Sequence, residues 1–125
     1  MTAPTVEIIT IGDELLFGHL IDTNAPRLSR PLDELGFDVR FRTTVGDRPD
    51  DLPAVLKHAT ARADVVLLTG GLGPTSDDLT KPLLADFFNA ELVHNDEAAA
   101  HLDARMAQRR RQPTARERGY VLHPE

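Results

Sequence analysis

A chain of 125 residues with 14 Lys and Arg against 20 Asp and Glu carries a net charge of −6, which argues against nonspecific nucleic-acid binding as its task. Hydrophobic residues at 41% and charged residues at 27% fit a soluble globular protein, and the absence of cysteine excludes disulfides, thiolate metal sites and a cysteine nucleophile. The length predicts one domain over residues 1–125; the N-terminus has no secretory pattern, no apolar run reaches membrane-spanning length, and a cytoplasmic setting is the default expectation.

Val6-Glu7-Ile8-Ile9-Thr10-Ile11 is nearly continuous in apolar character and predicts a central strand of a parallel sheet. It ends in Gly12-Asp13-Glu14, and Thr23 or Asn24 then stands ready to cap a helix that presents Leu28, Leu32 and Leu35 on one face. Pro31 predicts a bend in that helix, and Gly36 a stop. From Phe37 to Val45 the alternation places Phe37, Val39, Phe41, Thr43 and Val45 on one face, which predicts a strand near the sheet edge. Gly46-Asp47 follows it. Asp50 is the expected cap of a helix carrying Leu52, Val55, Leu56 and Ala59.

Asp64-Val65-Val66-Leu67-Leu68 reads as a buried strand. It runs into Thr69-Gly70-Gly71-Leu72-Gly73-Pro74-Thr75-Ser76-Asp77-Asp78 and a helix with Thr80 as expected cap and Pro82 in the first turn. A strand, a glycine-rich loop and a helix together expose backbone N–H groups to an anion. Plain turn geometry, or Asp77 or Asp78 acting only as a helix cap, is the competing reading. Asn89 suits a left-handed helix end, Glu91-Leu92-Val93-His94 reads as a short strand or an extended connection, and Asn95-Asp96-Glu97 opens a further helix. Six arginines lie between Arg105 and Arg118, read as a solvated helix end, and Thr114 to Glu117 as a short helical turn. The histidines show no zinc spacing.

Strands alternating with helices imply a mostly parallel sheet in an α/β fold, with all strand carboxyl ends on one rim where ligands of such folds bind. Three loops leave that rim, and each joins glycine to acid: Gly12-Asp13-Glu14, Gly46-Asp47 and Gly70 through Asp78. Their convergence predicts a ligand site built from Gly12, Asp13, Asn24, Gly70, Gly71, Gly73, Thr75 and Ser76 beside the acids.

These segments, Gly12 to Gly18 with Asp22-Thr23-Asn24, Thr44 to Asp47, and Thr69 to Thr75 with Asp77 to Thr80, resemble the N-terminal domain of CinA, the competence/damage-inducible protein. That domain shares its fold with MogA, MoaB and MoeA. The resemblance implies a three-layer α/β/α sandwich of the molybdopterin-binding type, and a chain that stops before a last strand and loop of the family. It implies a pocket for a phosphorylated nucleotide and an ADP-ribose pyrophosphatase dependent on a divalent metal ion such as Mg2+. Asp47 and Asp78 are the expected catalytic acids, with Asp47, Asp78 and Glu14 as metal ligands. The alternative it implies is molybdopterin binding in molybdenum-cofactor biosynthesis, and a noncatalytic regulatory domain is a further one. Expected partners are a small-molecule nucleotide and further copies of the chain, with neither nucleic acid nor membrane.

Overall fold

The computed structural model describes residues 2–73, 75–109, 114 and 122–124. In chain order the elements are β1 (Thr5–Ile11), α1 (Asp13–Leu16), α2 (Asn24–Glu34), β2 (Asp38–Val45), α3 (Asp51–Arg62), β3 (Val65–Thr69), α4 (Thr80–Phe87), β4 (Leu92–His94), α5 (Asp96–Gln108) and β5 (Leu122–Pro124). They divide between two compact units, Met1–Gly71 and Leu72–Glu125.

The first unit is an α/β layer structure around a parallel sheet of order β2-β1-β3. β1 is the middle strand, as its apolar run predicts, and Val6, Ile8 and Ile9 are fully buried. Side chains alternate across a strand, so β1 serves two cores. Val6 and Ile8 meet Ala25, Leu28 and Leu32 of α2, with Phe37, Val39, Val65 and Leu67 around them. The opposite face carries Glu7, Ile9 and Ile11, and α3 there buries Leu52, Leu56 and Ala59. The central strand therefore has a helix layer on each side. Asp64 secures its start, accepting from Thr5 N at 2.8 Å and Thr5 Oγ1 at 2.7 Å.

β2 departs from the simple alternation. Val6 lies opposite Val39, but Glu7 lies opposite Phe41, so one residue of β2 is skipped. A slip of one residue sends every later side chain to the other face. Val39 accordingly packs on the α2 side, whereas Phe41 lies under the guanidinium of Arg62 from α3, 4.0 Å from its ring centre. The single face expected for Phe37 through Val45 is divided between two layers.

Helix ends follow local chemistry with two corrections. Thr23 occupies the cap position of α2, as expected, but makes no side-chain cap bond; Asp22 Oδ1 accepts instead from Asn24 N at 3.1 Å and Ala25 N at 3.0 Å. Thr80 is the first residue of α4 instead of its cap, which is Leu79. Asp50 does occupy the cap position of α3, without a side-chain cap bond. α2 runs through Pro31 to Glu34, and Gly36 at φ +83° then ends it, with Gly36 N bonding Asp33 O at 3.0 Å and Phe37 N bonding Leu32 O at 2.9 Å. That reciprocal pair of bonds is the left-handed helix stop.

The second unit repeats this device at Asn89, φ +52°, with Ala90 N on Ala85 O at 2.8 Å. Asn95 caps α5, its Oδ1 accepting from Ala98 N at 2.8 Å. Within the segment 91–94, Leu92–His94 form strand β4, paired antiparallel with β5. Arg110, Arg111, Arg116 and Arg118, and all of the turn expected from Thr114 to Glu117 except Thr114, lie outside the described residues. No helix among the described residues is long and apolar enough to cross a membrane.

Candidate functional site

Parallel pairing sends Ile11, Val45 and Thr69 out of the first unit's sheet in the same direction, so the loops after β1, β2 and β3 share one rim. The first two loops are joined there. Gly12 N donates to Val45 O at 2.9 Å. Asp13 N donates to Asp47 Oδ2 at 3.1 Å, and Asp47 N donates to Asp13 Oδ1 at 3.0 Å. Each acid thus caps the other's amide across 34 residues of chain, forming a clasp. A Cβ on Gly46 would come within 2.4 Å of Asp13 Oδ1, so the closeness of the clasp depends on glycine at that position.

Asp13 also opens α1, a single helical turn in a stretch expected to be loop. Leu15 N and Leu16 N bond Gly12 O, and Phe17 N bonds Asp13 O. Glu14 turns its carboxylate back over Gly12, where an added Cβ would lie 2.5 Å from Glu14 Oε1. Asn24, at the start of α2, reaches across to β3, its Nδ2 donating to Thr69 Oγ1 at 3.1 Å. Gly12, Asp13, Glu14, Asn24 and Asp47 are all tied to one rim.

Gly70 and Gly71 both have positive φ, +103° and +60°. For Gly70 the demand comes from inside the fold. An added Cβ would sit 2.1 Å from the carbonyl oxygen of Ile11, so glycine there lets β3 leave beside β1. Closeness of the two strands is thus what requires glycine at position 70.

In the second unit the loop closes on its own acid. Asp78 Oδ2 accepts from Thr75 Oγ1 and, at 3.4 Å, from Thr75 N, while Asp78 N bonds Thr75 O at 3.0 Å. A Cβ on Gly73 would approach Asp78 Oδ2 to 2.5 Å, so Gly73, Thr75 and Asp78 form one turn with Ser76 and Asp77 exposed at its tip. Burial holds the Lys81 ammonium, three residues on, below the usual lysine range.

Among the described residues no group of three or more His, Asp or Glu side chains is gathered to hold a metal ion. The clasp nevertheless offers hard oxygen donors. Asp13 Oδ2 and Asp47 Oδ1 have no hydrogen-bond partner among the described residues, the other oxygen of each being fixed by an amide. Mg2+ suits such a donor set, since it takes one or two carboxylates and completes its shell with water and phosphate oxygens.

Three residues of this region were not singled out as site residues from the sequence. Asp22 caps α2 and lies 3.8 Å from Arg42 Nη2, Thr69 fixes Asn24, and Gly46 admits Asp13. An acid two residues before a helix start is the legible signal for Asp22. Thr69 and Gly46 stand inside stretches marked by the sequence, but nothing local names their partners, which are distant in the chain.

Comparison with known proteins covers nearly all of the chain. Residues 7–122 match the family described as "Probable molybdopterin binding domain". A CinA-like protein of Cytophaga hutchinsonii is 48% identical over 97 residues, 78% of this chain and 23% of that protein. A CinA-like protein of Dictyoglomus turgidum is 53% identical over 92 residues, 74% of this chain and 22% of that protein. The chain therefore spans about a quarter of the length of these curated relatives. Among solved structures, CinA of Thermoplasma acidophilum, described as of unknown function, aligns at a TM-score of 0.77 with 27% identity, covering 99% of this chain and 72% of that one. The tungsten cofactor synthesizing protein MoaB of Pyrococcus furiosus aligns at 0.66 with 24% identity, covering 87% and 66%, a likeness of fold. With the clasp of Asp13 and Asp47 and the turn of Asp78 both inside the matched span, this chain belongs to the molybdopterin-binding domain family.

Proposed function

We propose that this domain binds a phosphorylated nucleotide at the carboxyl rim of its parallel sheet and hydrolyses ADP-ribose to AMP and ribose 5-phosphate with a divalent cation. The observation that carries the reading is the clasp: two strands deliver two carboxylates to one point, each with one oxygen committed to the scaffold and one left over. A divalent ion held by Asp13 and Asp47 would mask phosphate charge and make a bound water more acidic.

The chain's own part is positioning and proton handling. The water oxygen forms its bond to one phosphorus as the bridging P–O bond breaks, the water proton passes to the Glu14 carboxylate, and the other phosphoryl group departs as a phosphate monoester. Asn24, held by Thr69, offers an amide to a ribose hydroxyl. Backbone N–H groups at Gly71 and the carboxylate of Glu14 complete the first unit's contribution. Gly73, Thr75, Ser76 and Asp78 enter the proposal from the sequence alone, as do the cytoplasmic setting and the single-domain organisation.

The test is metal-dependent release of AMP from ADP-ribose by the purified chain. Asp47→Asn should cut the rate by about 100-fold or more while circular dichroism stays unchanged. An Asp47→Asn or Asp78→Asn protein that hydrolyses at the parent rate removes that acid from the mechanism. A second reading, molybdopterin binding, is favoured by the family description and by the likeness to MoaB. Tight pterin binding with no hydrolysis under any divalent ion would decide for it.

A further inference from the structure

Three threonines stand in one row near the carboxyl ends of the parallel strands, with Thr44 and Thr69 opposite Thr10 on either side. Two of them close on each other: Thr10 Oγ1 and Thr44 Oγ1 share a hydrogen bond at 3.0 Å, with Thr10 buried. The third takes its partner from outside the sheet, Thr69 Oγ1 accepting from Asn24 Nδ2 at 3.1 Å. Among the described residues neither the Thr69 hydroxyl nor the Asn24 carboxamide makes any other hydrogen bond. Both residues are anchored through their backbones, Thr69 by its pairing with Thr10 and Asn24 by donating its amide to Asp22 Oδ1 at 3.1 Å. Thr69 is half-buried and Asn24 exposed, at the point where β3 enters its glycine loop.

What such a pair can bind follows from its donors and acceptors. With Asn24 Nδ2 donating to Thr69 Oγ1, the Thr69 proton is left to donate and Asn24 Oδ1 is left to accept. Turning the carboxamide over would make Thr69 the donor and leave Nδ2 beside a Thr69 lone pair, again a donor next to an acceptor. A phosphate oxygen only accepts and an ammonium only donates, so either would leave half of the pair unmet. Two neighbouring hydroxyls, each donor and acceptor, meet both halves. Resting on the nucleotide reading of this rim, we propose that Thr69 and Asn24 together read the vicinal diol of a ribose, with Thr69 a specificity-determining residue in direct contact with the sugar. The substrate must then carry both hydroxyls on one of the two riboses of ADP-ribose, because a deoxy sugar leaves one group of the pair without its partner. Asn24 is open to water, so the loss is that of one hydrogen bond, about 10-fold in affinity.

Isothermal calorimetry of the purified chain tests this, in EDTA so that nothing turns over. The ligands are ADP-ribose, its 2′-deoxy analogue on the adenosine side and its 2″-deoxy analogue on the terminal ribose. One analogue should bind about 10-fold more weakly than ADP-ribose, and which one it is identifies the ribose that is held. Thr69→Val keeps the β-branched shape without the hydroxyl; with an unchanged circular dichroism spectrum, it should bind that analogue and ADP-ribose within about twofold of each other. Thr69→Ser, which keeps the hydroxyl, should recover the preference. A parent chain that binds ADP-ribose and both analogues equally well overturns the inference, as does a Thr69→Val protein that keeps the preference. Release of AMP, measured separately with divalent ions, tells the two readings apart. A preference for the diol with no AMP release supports the diol contact and removes the pyrophosphatase. No binding of ADP-ribose, in EDTA or with Mg2+, overturns both.

Discussion

Removing Arg62 should destabilise the first unit more than neutralising Glu7, and the difference should shrink in acid. Glu7 is fully buried in the middle strand. Its carboxylate accepts from Arg62 Nε at 2.7 Å and Nη2 at 2.8 Å and from Thr43 Oγ1 at 2.7 Å. Arg62, whose side chain is 43% exposed, can turn to water if its partner is lost. Glu7 cannot. Arg62→Met keeps an aliphatic stem over Phe41 but strands a buried carboxylate with one hydroxyl for company. The cost of stranding Glu7 at pH 7 is about 3 kcal/mol, the low end of the range for a broken buried pair because solvent can enter beside residue 62. Glu7→Gln keeps most of the shape and hydrogen bonding and should cost about 1–2 kcal/mol.

The dependence on pH separates the two variants. The Arg62 hydrogen bonds, ahead of the opposing effect of burial, hold the Glu7 carboxyl below the ordinary value of 4.5. In the parent, that contribution to stability is present above the unfolded value of 4.5 and is lost as pH falls through the lower folded value. Without Arg62, burial prevails and raises the folded value, so the Arg62→Met protein regains stability as pH falls and Glu7 folds protonated. Urea unfolding followed by circular dichroism at pH 7 and pH 4 reads both terms. The reasoning fails if Glu7→Gln is the more damaging change at pH 7, or if the Arg62→Met deficit is as large at pH 4 as at pH 7.

Other consequences are equally direct. Gly70→Ala should destabilise by about 2 kcal/mol or more in the same urea assay, since the new methyl meets the Ile11 carbonyl oxygen in a backbone region that L-residues avoid. Asp22→Ala should cost about 1 kcal/mol and Thr23→Ala close to nothing, because the two amides at the start of α2 bond to Asp22. Asn89→Gly should be neutral or slightly stabilising, and Asn89→Ala should cost about 1 kcal/mol by forcing alanine to a positive φ, both read as shifts in the thermal midpoint. Asp13→Ala should lower the first unit's stability even with no ligand present, by about 1–2 kcal/mol, because the Asp47 amide loses its acceptor.

What the sequence disclosed and what it hid follow from the range of each interaction. The β-branched and leucine runs of β1 and β3 announce themselves within five to seven residues, and Gly36 and Asn89 mark helix ends because left-handed backbone is a local property. The convergence of Asp13 with Asp47 was legible indirectly, since parallel strands must share a rim. The bond that joins them was not, because nothing within either loop names its partner. Glu7 passed as an interruption in an apolar strand. Its meaning lies 55 residues away, at Arg62. The slip in β2 was hidden for the same reason: the alternation from Phe37 to Val45 is unbroken in the sequence, and only pairing with β1 reveals the skipped residue. Turn α1 escaped because four residues are too few for a helical period, and strand β5 because three residues are too few for an alternation.

The mutual capping of Asp13 and Asp47 bears on how such a domain can be altered. Neither loop is an independent part: lengthening one by a single residue would leave an unpaired amide in the other. The two loops cannot be exchanged one at a time. Residues 12–14 and 46–47 would have to be transplanted as a matched set, and natural drift in one should survive only when the other has changed with it.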